Sequence, residues 1–253
     1  MVTQMAFPAR FAEAYRHVQR LERQDRYRGV FIFGSVARGE ATESSDLDVK
    51  VLVDADSPCT NINHPVIGGV KLDLTFLSLG QLRRDTEREV ARAARVPMLA
   101  ESLVVFDKTA ALGELRAWAR QATPPRATPA DYQLSRFFIF HIHNKVARAL
   151  EGDPSAALLT MHTGLAELFD HYRRLQGRWE VSSKRLLPEL RAADPPLAEL
   201  VESFVATAEL HAKFRLWTDI VAYIARPLGG WADAENTCDC AVCRADLAAL
   251  LHG

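Results

Sequence analysis

The stretch FGSVARGEATESSDLD, residues 33–48, decides how the N-terminal half is read. It follows VFIF, residues 30–33, a short continuous apolar run of β-branched and aromatic type that suits a buried central strand ending at Gly34. It leads into LDVKVLVD, residues 47–54, which reads as a second strand. Strand side chains alternate faces. Asp46 and Asp48 are therefore expected on one side, with Leu47 and Val49 pointing into apolar packing on the other. Two carboxylates held that close repel, an arrangement tolerated where a hard divalent cation sits between them.

Working outward, GGVKLDLTFLSL, residues 68–79, alternates like a third strand and carries Asp73 between Leu72 and Leu74. The turn-rich residues 54–69 carry hairpin signals that would bring this run beside the second, and with it a third carboxylate. Gly34 lets the backbone approach a phosphate closely, and backbone N–H groups at a strand-to-helix turn, together with the Ser35 hydroxyl, can hold one. Three carboxylates beside a phosphate cradle define a metal-assisted phosphoryl or nucleotidyl transfer site.

Gly34-Ser35, then ten residues, then Asp46-Leu47-Asp48, and later a lone Asp73 between leucines, resembles the signature of the DNA polymerase β-like nucleotidyltransferase superfamily. GSVARGEATESSDLDVKVLV is most similar to the minimal and antibiotic-type branch. The resemblance implies a small mixed sheet flanked by helices, with Asp46, Asp48 and Asp73 binding Mg²⁺ or Mn²⁺, Asp73 also accepting the proton of the attacking hydroxyl, and Gly34 and Ser35 holding the triphosphate. Arg38 falls where family members often carry a basic residue near the phosphates. Glu40, Glu43, Ser44 and Ser45 read as loop and turn chemistry. The implied reaction moves a nucleoside monophosphate, AMP from ATP, onto a hydroxyl of a small-molecule or protein acceptor and releases pyrophosphate.

Around this stretch the chain reads as α+β. Phe11, Ala14, Tyr15, Val18 and Leu21 mark an amphipathic helix over residues 8–25. Helical patterning resumes at 81–94 and 110–121, with a further strand at 102–107. Residues 1–121 form the expected catalytic domain, and ATPPRATPAD, residues 122–131, reads as a linker. Residues 132–227 lack strand runs and read as an all-α bundle with helices at 131–151, 154–176, 184–192 and 196–226, Asp153 and Asp194 before prolines marking helix starts. Residues 228–253 form a cysteine-containing tail.

Helical C-terminal domains accompany several nucleotidyltransferases of this type, and residues 177–204 resemble the segment in which an aromatic and a lysine approach the cleft. That makes Lys184 a candidate for the acceptor or phosphate side, with Lys145 a weaker version of the same idea. Arg136 and His141, with four residues between them, match the permissive pattern of HEPN-type ribonucleases. The alternative reading is therefore a fused toxin–antitoxin-like regulatory protein whose helical half cleaves RNA or binds a partner. His141 and His143 cannot share one helical face, and a lone histidine on an apolar helix is more often satisfied core than catalyst. Cys238, Cys240 and Cys243, with His252 as a fourth ligand, allow a zinc site, although C-x-C-x-x-C is tighter than common finger spacing and a cysteine-rich tail explains it equally well. Cys59 reads as incidental.

With 48% hydrophobic residues, 25% charged residues and a net charge of −1, the 253-residue composition is that of a globular protein without the basic surplus of broad nucleic-acid binding. No apolar run reaches the length of a signal peptide core or a membrane span, so the expectation is a cytoplasmic protein without a membrane partner, and the apolar bundle would permit a homodimer.

Overall fold

The computed structural model describes residues 8–56, 58–92, 96–230, 241 and 248–250. The chain divides into two compact units, Met1–Pro125 and Arg126–Gly253. Among the described residues the first unit holds β1 (Tyr27–Phe33), β2 (Leu47–Val53), β3 (Val66–Ile67), β4 (Val70–Leu77) and β5 (Leu103–Asp107) in one sheet of order β3-β4-β2-β1-β5. Its helices are α1 (Ala12–Gln19), α2 (Gly34–Arg38), α3 (Leu79–Arg92) and α4 (Ala111–Gln121).

The apolar run that announces β1 is explained by its place at the centre of the sheet. Val30 and Ile32 pack on one face with Phe11, Ala14 and Val18, from α1 and the 3-10 turn before it, whereas Phe31 joins Leu82 of α3 and Leu112 and Leu115 of α4 on the other. Helices cover both faces of the strand over Val30–Ile32, so neither side of that run is polar. The two rims of β1 are paired antiparallel, with β2 on one side and β5 on the other.

One expectation needs correction. β2 and β4 are neighbours, but they run parallel, with Leu47, Asp48 and Val49 opposite Leu72, Asp73 and Leu74. The hairpin lies inside the connection instead. β3 and β4 pair antiparallel around Gly68 and Gly69, whose φ angles of +57° and +75° suit the left-handed two-residue turn that glycines favour. A long crossover rather than a tight hairpin is what parallel neighbours require.

The second unit is helical: α5 (Pro129–Gly152), α6 (Pro154–Leu175), α7 (Ser183–Ala193), α8 (Pro195–Ala206) and α9 (Leu210–Ala225). α5 thus begins inside the segment read as a linker, where Thr128 and Asp131 form a reciprocal capping box ahead of Pro129. Asp153 and Asp194 cap α6 and α8 through their side chains, as their places before prolines imply. The helix expected over 196–226 is two helices, interrupted at Thr207–Glu209, where the Glu209 carboxylate accepts from the backbone N–H groups of His211 and Ala212. The core centres on Trp217, Ile139, Met161, Leu168, Phe204 and Ile220, all fully buried.

Candidate active site

β1 ends at Phe33, and the chain turns at once into the short helix α2. The turn is made by Gly34 at φ +74°, a conformation that side chains with a Cβ rarely adopt. Space imposes the same choice, because a Cβ on Gly34 would lie 2.0 Å from Oδ2 of Asp48. Ser35 follows in the first turn of α2, half-buried.

Asp48 is placed by β2, directly across from Asp73 on β4. The alternation of β2 and β4 sends Leu47, Val49, Val70 and Leu72 into the core beneath α1, so Asp48, Lys71 and Asp73 share the opposite face. Asp46, just before β2, is tied to that face by Lys71, whose Nζ lies 3.0 Å from Oδ2 of Asp46 and 3.0 Å from Oδ1 of Asp73. The same Oδ1 meets Nδ1 of His64 at 2.7 Å. The structure therefore sets Asp48 across from Asp73 and against Gly34, and links Asp46 to Asp73 through Lys71, with His64 on Asp73 as well.

The electrostatics follow from this packing. Burial, then the charges of Asp73 and Asp46, push the Asp48 carboxyl up to about 6, against partial relief from Arg38 and Lys71. Burial also acts to raise Asp73, but hydrogen bonds from Lys71 and His64 outweigh it and hold this carboxyl below the usual carboxylate range. Lys71 is in turn held above its ordinary value by its bonds to Asp73 and Asp46.

Arg38 is engaged within the protein. Its Nε donates to Oε2 of Glu40 at 2.8 Å, and its Nη1 lies 3.5 Å from Oε2 of Glu101. Glu40, read from sequence as loop chemistry, is thus the partner of that arginine. Thr42 and Ser45 do form a turn, with the Thr42 N–H donating to Ser45 Oγ. Lys71 could have been found from sequence, since it stands two residues before Asp73 on a strand and so on the same face. His64 carried no such signal. It is brought opposite Asp73 by the isolated bridge between Asn63 and Leu74.

In the second unit, Lys145 is exposed on α5 and Lys184 is exposed in the first turn of α7. His141 stacks on Phe137 of its own helix at a centroid distance of 5.7 Å, whereas His143 stacks on Phe214 of α9, so the two do face different ways. Cys59 is exposed, and Cys238, Cys240, Cys243 and His252 lie outside the described residues.

Among the described residues no three His, Cys, Asp or Glu side chains stand gathered as a ready cation site. The donor set nevertheless fits a hard divalent cation: Asp48 and Asp73 share one strand face, Lys71 ties Asp46 to Asp73, and Asp48 carries a charge that its present neighbours leave undercompensated. Lys71 bridges Asp46 and Asp73, its Nζ 3.0 Å from a carboxylate oxygen of each.

Residues 15–96 match the family model described as a nucleotidyltransferase domain. A crystal structure of a nucleotidyltransferase-like protein from Exiguobacterium sibiricum 255-15 is similar over 86% of this chain and 74% of that one, with a TM-score of 0.50 and 15% sequence identity, a likeness of fold. Among curated proteins none matches. Sheet, turn and matched segment in the first unit fit the nucleotidyltransferase domain of the polymerase β-like superfamily. No helix among the described residues is long and apolar enough to cross a membrane.

Proposed function

We propose that the first unit transfers a nucleoside monophosphate, AMP from ATP, onto a hydroxyl group of a small-molecule or protein acceptor. The observation that carries this reading is the register of two parallel strands that sets Asp48 against Asp73, with Asp48 closed over the Gly34 turn. In the reaction the acceptor oxygen forms a bond to the α-phosphorus of the nucleotide. The bond from that phosphorus to the bridging oxygen breaks, pyrophosphate leaves, and the hydroxyl proton passes to a carboxylate of the cleft, for which Asp73 is the candidate. Gly34 and Ser35 hold the phosphate chain through backbone and hydroxyl donors, and Arg38 supports it with positive charge. Lys184 and Lys145 are kept as candidate phosphate or acceptor contacts.

Asp46, Asp48 and Asp73 would hold Mg²⁺ or Mn²⁺. A divalent ion bound there supplies charge neutralisation of the phosphates and polarises the centre under attack. The chain's own contribution is to orient the nucleotide and to place the carboxylates before it arrives.

The test uses the purified full chain with Mg²⁺, labelled ATP and a panel of hydroxyl-bearing acceptors. Pyrophosphate release and a labelled acceptor are expected, with both reduced to background in Asp46→Ala. Transfer that survives Asp46→Ala and Asp48→Ala would overturn the reading.

A further inference from the structure

The third carboxylate of the cleft does not stand alone. Oδ1 of Asp73 receives two partners, His64 at 2.7 Å and Lys71 at 3.0 Å, and Lys71 reaches on to Oδ2 of Asp46 at 3.0 Å. One ammonium therefore spans two of the three side chains read as ligands of a divalent ion. An ammonium is a compact point charge that a cation meeting the same two oxygens must push aside, because unlike a water molecule it repels that cation.

The way out is open. Lys71 is the second residue of β4, opposite Val66 of β3, its side chain is 42% exposed, and its four-carbon stem reaches water without disturbing the strand. As a contribution to folding, an ion pair this exposed counts for little. As an occupant of a ligand set it counts for more, since both of its partners are the oxygens in demand.

We propose that Lys71 is the resident cation of the cleft: it holds Asp46 and Asp73 together before nucleotide arrives, and a divalent ion binds only by displacing its ammonium. The inference rests on the nucleotidyl-transfer reading of the same carboxylates. Lys71 is on this account a positioning residue that sets the threshold for cation binding. His64 keeps its own hold on Oδ1 of Asp73, so this carboxylate remains oriented when Lys71 departs.

The test titrates Mn²⁺ into the full chain without nucleotide, following the heat released, for wild type, Lys71→Met and Lys71→Arg. Lys71→Met is expected to bind Mn²⁺ on the order of tenfold more tightly, since a competing positive charge is gone from both carboxylates. Lys71→Arg, which keeps the charge, is expected to stay as weak as wild type. In wild type, acetylation of Lys71 by acetic anhydride, read by mass spectrometry, is expected to rise when Mn²⁺ is added. Circular dichroism checks that the variants fold.

If wild type shows no binding, a gain in Lys71→Met supports the proposal and its absence overturns it. Affinity in Lys71→Met equal to or weaker than wild type, or labelling indifferent to Mn²⁺, overturns the proposal. Asp46→Asn and Asp73→Asn separate the two failures. If they abolish binding while Lys71→Met changes nothing, only the role of Lys71 falls. If they too leave Mn²⁺ binding unchanged, the cleft is no cation site and the functional reading falls with it.

Discussion

Asp48 is held where its charge is least welcome, half-buried against the Gly34 turn with Asp73 across the strand and Asp46 two residues back. Its carboxyl, pushed up from 3.8 to about 6, binds its proton more tightly in the folded chain than in the unfolded one. Ionisation thus costs the folded state nothing below about pH 4. The cost grows between pH 4 and 6 and is complete above. Asp48→Asn removes it. In metal-free buffer at pH 8 the variant is expected to melt about 2–4 °C above wild type, the partial exposure of the group keeping the gain small, and the two melting curves are expected to converge near pH 4. Equal differences at both pH values would show that the carboxylate is not under this load. The same variant is expected to lose transfer activity, since strain of this kind is retained at functional sites and traded against stability. Three aspartates and a glycine were legible as residues because charge at strand spacing is abnormal. His64 was not, because a histidine in a loop has no spacing to read, and only the bridge at Asn63 brings it to Asp73.

Elements were legible where one residue pattern had one physical meaning. β1 announced itself by an apolar run bounded by glycine, and α6 and α8 by aspartate before proline. Strand direction was not legible, because alternation is the same for parallel and antiparallel pairing and the glycine pair fitted a hairpin that forms one strand later. The break between α8 and α9 was hidden for a related reason: apolar spacing continues across Thr207–Glu209, while the signal that restarts the helix is one glutamate accepting two backbone N–H groups. Gly164 sits in the middle of α6, where a Cβ would lie 2.8 Å from Cγ2 of Ile142 on α5 and 3.1 Å from Cη2 of Trp217 on α9. Ile142 is β-branched and stiff in a helix, and both side chains are buried, so neither can step aside cheaply. Gly164→Val is expected to cost about 2 kcal/mol or more by overpacking, read as a lower urea midpoint at unchanged slope. A variant as stable as wild type would mean that the three helices do not meet as closely as this glycine implies.

At the scale of the whole molecule, each unit has its own sheet-and-helix or all-helical core, with the first built on Val30, Ile32, Val49 and Val51 and the second on Trp217 and its neighbours. A change of composition, from alternating strands to uninterrupted helical spacing, was enough to expect two kinds of architecture in one chain. What composition blurred was where the second begins, since proline and threonine mark a linker and a helix start alike, and here Thr128-Pro129 is a capped helix start. The segment that remains, residues 122–128, has no helix or strand, and Thr123, Pro125, Arg126 and Thr128 are exposed. Proteases cut where backbone is exposed and free of secondary structure, because the chain must extend into the enzyme's cleft. The arginines of α3 and α4 lie in helices and would have to unwind first. Brief digestion of the native protein with trypsin is therefore expected to cut early at Arg126, giving two fragments of nearly equal length that meet at Ala127 and are identified by mass spectrometry. First cuts within α3, α4 or α5 instead would show that these helices open more readily than the segment joining the units.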